Sequence, residues 1–167
     1  MTRSFAVGLS LLLASCVSRP AAAPAEGSGE AVLATGPAVS VQRTSCFGTC
    51  PVYTISASVT GKVTYEGKAN VRQIGTASGQ IAEKEIAALL RELEDAGYFT
   101  FADRYALSEP TCRRYSTDSP SVISSATFRG RTKRIEHDYG CVGAPGALTL
   151  LEKRIDEVLG SSKWTGK

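Results

Sequence analysis

The chain has 167 residues, with 19 lysines and arginines, 16 acidic residues and a formal net charge of +3. So even a balance excludes a general nucleic-acid binder and a surface built to draw in polyanions. Hydrophobic residues make up 43% of the chain, enough for an ordinary buried core, and five cysteines leave an odd one to account for.

The chain opens MTRSFAVGLSLLLASCVSRP. Arg3 gives a short positive start, and the apolar run at 5–14 is too short to anchor stably across a bilayer, which is the pattern of a secretory signal. Leu13-Ala14-Ser15-Cys16 then resembles the lipobox of bacterial lipoproteins. That resemblance implies that cleavage makes Cys16 the first mature residue and that it carries acyl chains. Each buried methylene adds about 0.8 kcal/mol, and two or more chains anchor stably where one does not. Val17 stands where an aspartate would imply retention at the inner membrane, so the resemblance points to the outer membrane, facing the periplasm. The alternative is an ordinary signal with an incidental Cys16.

The expected organisation is a signal peptide at 1–15, a lipidated cysteine and flexible tether at 16–38, and one folded domain at 39–165. Removing 1–15 takes away Arg3 and no acid, so the charge falls from +3 to +2. Residues 17–38 are rich in Ala, Pro, Gly and Ser, and a flexible chain of that length spans roughly 25 Å. With Cys16 assigned to lipid, Cys46, Cys50, Cys112 and Cys141 remain, an even number that reads as disulfides in an exported domain.

Residues 39–44, VSVQRT, alternate weakly. Residues 52–60 put Tyr53, Ile55, Ala57 and Val59 on one face and Thr54, Ser56 and Ser58 on the other, the mark of a half-buried strand. Thr60-Gly61 predicts a turn, 62–67 its partner strand, and 69–75 a further strand. The period then changes to 3.6. Ile86, Leu89, Leu90 and Leu93 predict a helix that Gly97 stops, with Tyr98 packing back on its last turn. Glu92, Glu94 and Asp95 crowd the negative end of that helix, an unfavourable placement taken alone. Residues 100–120 show no period, and a loop that long is functional, disordered or tied down; Cys112 favours the last. Segments 121–129 and 132–140 flank Gly130 as a second hairpin. Pro145 opens a final helix with a stripe of Leu148, Leu151, Ile155, Val158 and Leu159, ended by Gly160.

The fold class expected is α+β: an antiparallel sheet of about five to six strands built from hairpins, with two amphipathic helices packed on one face. The other face would be polar, carrying Thr54, Ser56, Ser58, Ser124 and Thr127.

Cys46-Phe47-Gly48-Thr49-Cys50-Pro51-Val52-Tyr53, followed by Gly61-Lys62-Val63-Thr64-Tyr65-Glu66-Gly67, resembles a bacterial family of unknown function. Its members begin Cys-Phe-Gly-x-Cys-Pro-x-Tyr and continue with a strand, a glycine turn and a Tyr-x-Gly strand. Gly97-Tyr98-Phe99 and Thr117-Asp118-Ser119-Pro120 also fit, so the resemblance covers most of 41–160. It implies a secreted or lipid-anchored domain and brings no activity and no catalytic residues. Cys112 and Cys141 fall outside the pattern.

Three chemistries compete for the cysteines. A catalytic dithiol commonly uses two intervening residues and opens a helix that lowers the thiol pKa. Here three residues intervene, and Pro51 and an alternating strand follow. A zinc site would need a second clip that Cys112, Cys141 and the lone His137 do not provide. The structural reading is that Cys46 and Cys50 pinch a hairpin tip. Cys112 and Cys141 flank the second hairpin, whose ends lie close, so a bridge between them closes naturally. A loop of that size is worth about 3–4 kcal/mol in the chain-entropy treatment. Three pairings are formally possible; Cys46–Cys50 with Cys112–Cys141 is favoured.

His137 and Asp138 are neighbours on a strand and point apart, and no nucleophile elbow is present, so His137 reads as a surface or hydrogen-bonded structural histidine. Asp118 reads as a turn residue bonding its own backbone. Phe47 at the cysteine turn and the Arg129, Arg131, Lys133, Arg134 cluster form a candidate binding surface, against the simpler reading of a solvated, edge-protecting hairpin.

The expectation is therefore an envelope lipoprotein with a non-enzymatic binding or structural module. No catalytic residue, cofactor or metal is expected. Its partners would be the membrane, through the lipid, and an unidentified envelope component, with no nucleic acid. The alternative is a periplasmic thiol-redox protein, or another enzyme, using Cys46 and Cys50.

Overall fold

The computed structural model describes residues 36–166. Cys16, the signal segment and most of the tether lie outside the described residues. The domain is α+β, with a seven-stranded, mostly antiparallel sheet.

Its centre is β1 (Val39–Arg43), which pairs antiparallel with β2 (Val52–Ala57) on one side and β7 (Ser121–Phe128) on the other. Beyond β2 come β3 (Lys62–Ala69) and β4 (Gly75–Gln80); beyond β7 come β8 (Arg131–Asp138) and β5 (Arg104–Tyr105), giving the order β4-β3-β2-β1-β7-β8-β5. The strands alternate in burial because one face alone is covered. Val41, Ile55, Tyr65, Val122 and Ile135 are buried on that face. Helix α1 (Glu83–Asp95) supplies Ile86, Leu89, Leu90 and Leu93 to the same core, and α2 (Gly146–Leu159) supplies Leu148, Leu151, Ile155 and Leu159. Each fully buried aliphatic side chain is worth about 1.5–3 kcal/mol over an exposed one.

Two of the three acids crowding the end of α1 have partners. Glu94 pairs with Arg129 at 3.2 Å and with Arg131, and Glu92 pairs with Arg154 of α2 at 3.1 Å. Side-chain cations thus do at this helix end what its own sequence does not.

Several expectations are corrected. The sheet has seven strands, not five or six, and a separate ribbon pairs β6 (Arg114–Tyr115) with β9 (Cys141–Val142). A third helix, α3 (Ser162–Thr165), follows α2. The pair β5–β8 is parallel rather than antiparallel. The strand expected at 69–75 lies elsewhere. Asn70 turns the chain with a left-handed φ of 55°, and residues 70–74 form a loop whose Gln73 N–H donates to the Trp164 carbonyl at 2.9 Å. The strand is β4, GTASGQ, which has no large side chain to show a period. It is small for a reason: a Cβ on Gly79 would sit 3.3 Å from the Trp164 ring. Ser124 is not on the polar face; it is fully buried and accepts a hydrogen bond from the Tyr98 hydroxyl at 2.8 Å. Val59 lies beyond β2 and is 46% exposed.

The unperiodic stretch 100–120 is tied at both ends. Tyr105 is buried beside His137, the two rings meeting edge to face, and Arg113 N–H donates to the Val142 carbonyl at 2.9 Å. Cys112 and Cys141 stand at disulfide distance with Cα atoms 5.1 Å apart.

Candidate functional site

One end of the sheet gathers the polar groups that a hydrophobic core normally excludes. Arg43 ends β1, Tyr53 sits opposite it near the start of β2, and Asp156 reaches down from the last turns of α2. Arg43 Nε donates to Asp156 Oδ2 at 2.6 Å, and Nη2 stands 2.6 Å from the same oxygen. The Tyr53 hydroxyl donates to Asp156 Oδ1 at 2.7 Å. Arg43 Nη1 donates to the Tyr139 hydroxyl at 3.4 Å, and that hydroxyl donates to Glu152 Oε2 at 3.0 Å. Glu152 is fully buried, and both its oxygens lie 3.1 Å from His137 Nδ1. The result is a continuous chain, Tyr53–Asp156–Arg43–Tyr139–Glu152–His137, buried at both ends and half-buried at Asp156, Arg43 and Tyr139.

The electrostatics follow from burial and neighbours. Burial alone would lower the Arg43 pKa, but the adjacent Asp156 carboxylate, helped by Tyr139, raises it, so the guanidinium is held charged. Burial, then the Asp156 carboxylate, raises the Tyr53 phenol. Burial, then Glu152, pushes the Tyr139 phenol up to about 12. No buried side-chain nitrogen or oxygen among the described residues lacks a partner, as a polar network in a low-dielectric site requires.

Above this floor opens a cleft of about 450 Å³, within the size range of small-molecule sites. Its walls include Cys50, Pro51, Pro120 and Lys153, with Arg43, Tyr53, Tyr139 and Asp156 contributing from the floor. The cysteine turn is fastened to this end. Phe47 N–H donates to the Asp118 carbonyl at 3.0 Å, Ser121 N–H to Thr44 Oγ1 at 2.7 Å, and Asn70 Nδ2 to the Cys50 carbonyl at 3.0 Å. Cys46 and Cys50 stand at disulfide distance, Cα to Cα 5.7 Å. Asp118 has a left-handed φ of 67°, and its carboxylate accepts from the Thr117 hydroxyl at 2.9 Å rather than from its own backbone.

The residues expected to form a binding surface separate into two groups. Phe47 is 90% exposed at the cleft end. The basic cluster lies toward the other end of β7 and β8, because Phe128 pairs with Arg131 at the hairpin turn. Arg129 and Arg131 share Glu94, and their guanidinium groups cover the Phe128 and Phe99 rings at 5.1 and 4.9 Å. Lys133 is engaged by Asp103 and the Phe101 carbonyl. Arg134 is exposed. No set of three or more His, Cys, Asp or Glu side chains among the described residues could hold a metal ion. No helix among the described residues is long and apolar enough to cross a membrane, which says nothing of a β-barrel.

Sequence reading missed Arg43, Tyr139, Glu152, Lys153 and Asp156. One signal was available for Glu152: it shares the i, i+4 spacing of Leu148 and the i, i+3 spacing to Ile155, so it is an acid on the apolar stripe of α2. A charge there is buried unless the helix turns away.

The profile of a family described as a domain of unknown function, DUF6438, matches residues 37–159. The chain belongs to that family. The matched span runs from β1 to the end of α2 and stops before α3. The DUF6438 fold therefore contains the whole chain from Tyr53 to His137 and the Cys46–Cys50 turn, whereas Trp164 lies outside the match. No curated protein matches this chain. Of the motif residues, Cys50, Pro51, Tyr53 and Pro120 meet at the cleft. Tyr65, Gly67 and Tyr98 are core: Tyr65 stacks on Trp164 at 5.1 Å, and a Cβ on Gly67 would collide with the Gln73 carbonyl at 2.0 Å.

Proposed function

We propose that this DUF6438 protein is a lipid-anchored, non-enzymatic binding module of the cell envelope, with the cleft and the Phe47 turn as its recognition end. One observation carries this reading: the cleft sits at the end of β1 opposite the end where the tether joins. The chain enters at Val39, paired with Ala57 and Ala126, and the cleft lies at Arg43, paired with Tyr53 and Val122. Four strand steps separate them by about 13 Å. An anchor at Cys16 then holds one end toward the membrane and leaves the other open to a partner. The floor supports binding over catalysis. Both oxygens of Asp156 are occupied by Arg43 and Tyr53, so it is not a base waiting for a substrate proton.

The anchor is tested by palmitate labelling in cells: labelling lost in Cys16→Ser supports it, and unchanged labelling refutes it. The recognition end is tested by placing a photo-crosslinking amino acid at Phe47 and, separately, at Arg134. A discrete adduct at Phe47 and none at Arg134 supports the reading; the reverse refutes it.

A second reading, a thiol-redox protein, is favoured by the position of Cys50 in the cleft wall. A free-thiol count before and after mild reductant separates the two. Cysteines that resist mild reductant exclude the redox reading, because a working dithiol must open readily.

A further inference from the structure

Resting on the reading of this cleft as a binding site, the geometry points to its ligand: we propose that the cleft takes a carboxylate carried on an apolar body. Charge and donor placement carry this. A guanidinium has five N–H groups. Arg43 turns Nε and Nη2 toward Asp156 and Nη1 toward Tyr139. Each Nη carries a second N–H beyond the one these contacts use, and the residue lines the cleft. Two N–H groups at the end of the fork match the two oxygens of a carboxylate. Asp156 fixes the fork in place before any ligand arrives, which removes the ordering cost that a free arginine would incur.

One cation of the cleft is left without an ion pair among the described residues. The charged side chains lining the cleft balance in sign, Arg43 and Lys153 against Asp156 and Glu157; Arg43 pairs with Asp156, and Glu157 with Arg154 at 3.4 Å, a cation it shares with Glu92. Lys153, exposed on α2 and lining the same cleft, makes no ion pair among the described residues. An incoming carboxylate would meet the outer N–H groups of Arg43 and the ammonium of Lys153 together, a match that a neutral ligand does not make. Pro51, Pro120, Tyr53 and Tyr139 supply apolar surface for whatever carries the acid, in the usual pairing of apolar wall with few polar anchors. Two sources offer this chemistry: a small amphipathic acid, and the C-terminus of a peptide.

The experiment uses the mature domain in solution, followed by backbone-amide NMR, with four probes. Hippurate and its neutral amide test a small acid; Ala-Ala-Pro-Phe as free acid and as amide tests a peptide end. The expected result is that the acids move the amides of Thr44, Ser121 and Ser161, at least tenfold more tightly than the matching amides. Saturation by hippurate alone assigns a small acid, and tighter binding of the peptide acid assigns a chain terminus; either supports the proposal. Lys153→Gln, an exposed change that leaves the floor intact, weakens the acids about threefold to fivefold, the scale of one exposed charge. Arg43→Lys keeps the charge beside Asp156 and removes the fork, and is expected to weaken them more.

Equal binding of acid and amide overturns the carboxylate assignment while leaving a binding cleft. Shifts that map away from the cleft, acid binding unchanged in Lys153→Gln, or no response to any probe overturn it too. The binding-module reading fails separately, by the Phe47 crosslink.

Discussion

Glu152 is the residue on which the interior depends most visibly. It is fully buried and holds His137 and Tyr139. Removing one member of a buried, hydrogen-bonded set leaves the others without a partner, at a cost of about 3–5 kcal/mol. Glu152→Ala is expected to lose that much in urea unfolding. Glu152→Gln, which keeps the shape and one acceptor, is expected to lose less. The phenols give a second readout. Tyr139 rises from its ordinary value of 10.0 to about 12, so the folded protein keeps a proton that the unfolded chain releases. Its contribution is fully present below pH 10 and is lost as pH climbs through about 12. Tyr53 and Tyr98, also raised by burial, act in the same direction. Stability is therefore expected to be flat to about pH 10 and to fall beyond it, with phenolate absorbance appearing late and together with unfolding. Much at this scale was legible. His137 and Asp138 do point apart, His137 to Glu152 and Asp138 to the Tyr115 hydroxyl at 3.0 Å, because strand alternation is a local rule. The partnership of Arg43 with Asp156 was not legible, since those residues are 113 positions apart and nothing local pairs them.

Among the elements, those with a hydrophobic period were readable and those without one were not. Both long helices, β2, β3 and β7 carry alternating or 3.6-period apolar residues, whereas β8, with Ile135 its one aliphatic residue, is legible from the Gly130 turn that returns the chain beside β7. β4 carries none, and its identity rests on what lies over it. Gly79 leaves room for Trp164, which in turn stacks on Tyr65. Gly79→Val is expected to push the ring out and cost about 1–3 kcal/mol, with tryptophan fluorescence shifting to the red. Trp164 is the single tryptophan, so the signal has one source. Two-residue strands such as β5, β6 and β9 are set by the long-range contacts they make, and a local pattern of two residues carries no period.

Over the whole molecule, the four cysteines act on different scales. Cys46 and Cys50 are 4 residues apart, whereas Cys112 and Cys141 are 29 apart. Closing the longer loop removes more freedom from the unfolded chain. Replacing Cys112 and Cys141 together by serine is expected to lower stability by about 3–4 kcal/mol, read by thermal melts. Replacing Cys46 and Cys50 together is expected to cost less in the melt and more in the acid-binding assay, since that turn walls the cleft. A reductant added to the native protein should reproduce each effect; a melt indifferent to reductant would mean that the thiols are not joined.

The placement of β1 also has a mechanical meaning. For a chain held by its N-terminus and gripped at the far end by a ligand, tension runs along the axis of β1. That strand is flanked on both sides, with five residue pairs to β2 and five to β7. Antiparallel hydrogen bonds lie perpendicular to the strand, so such a pull shears both ladders at once rather than unzipping them one by one. Under such a pull the domain would hold where a strand at the sheet's edge would peel away.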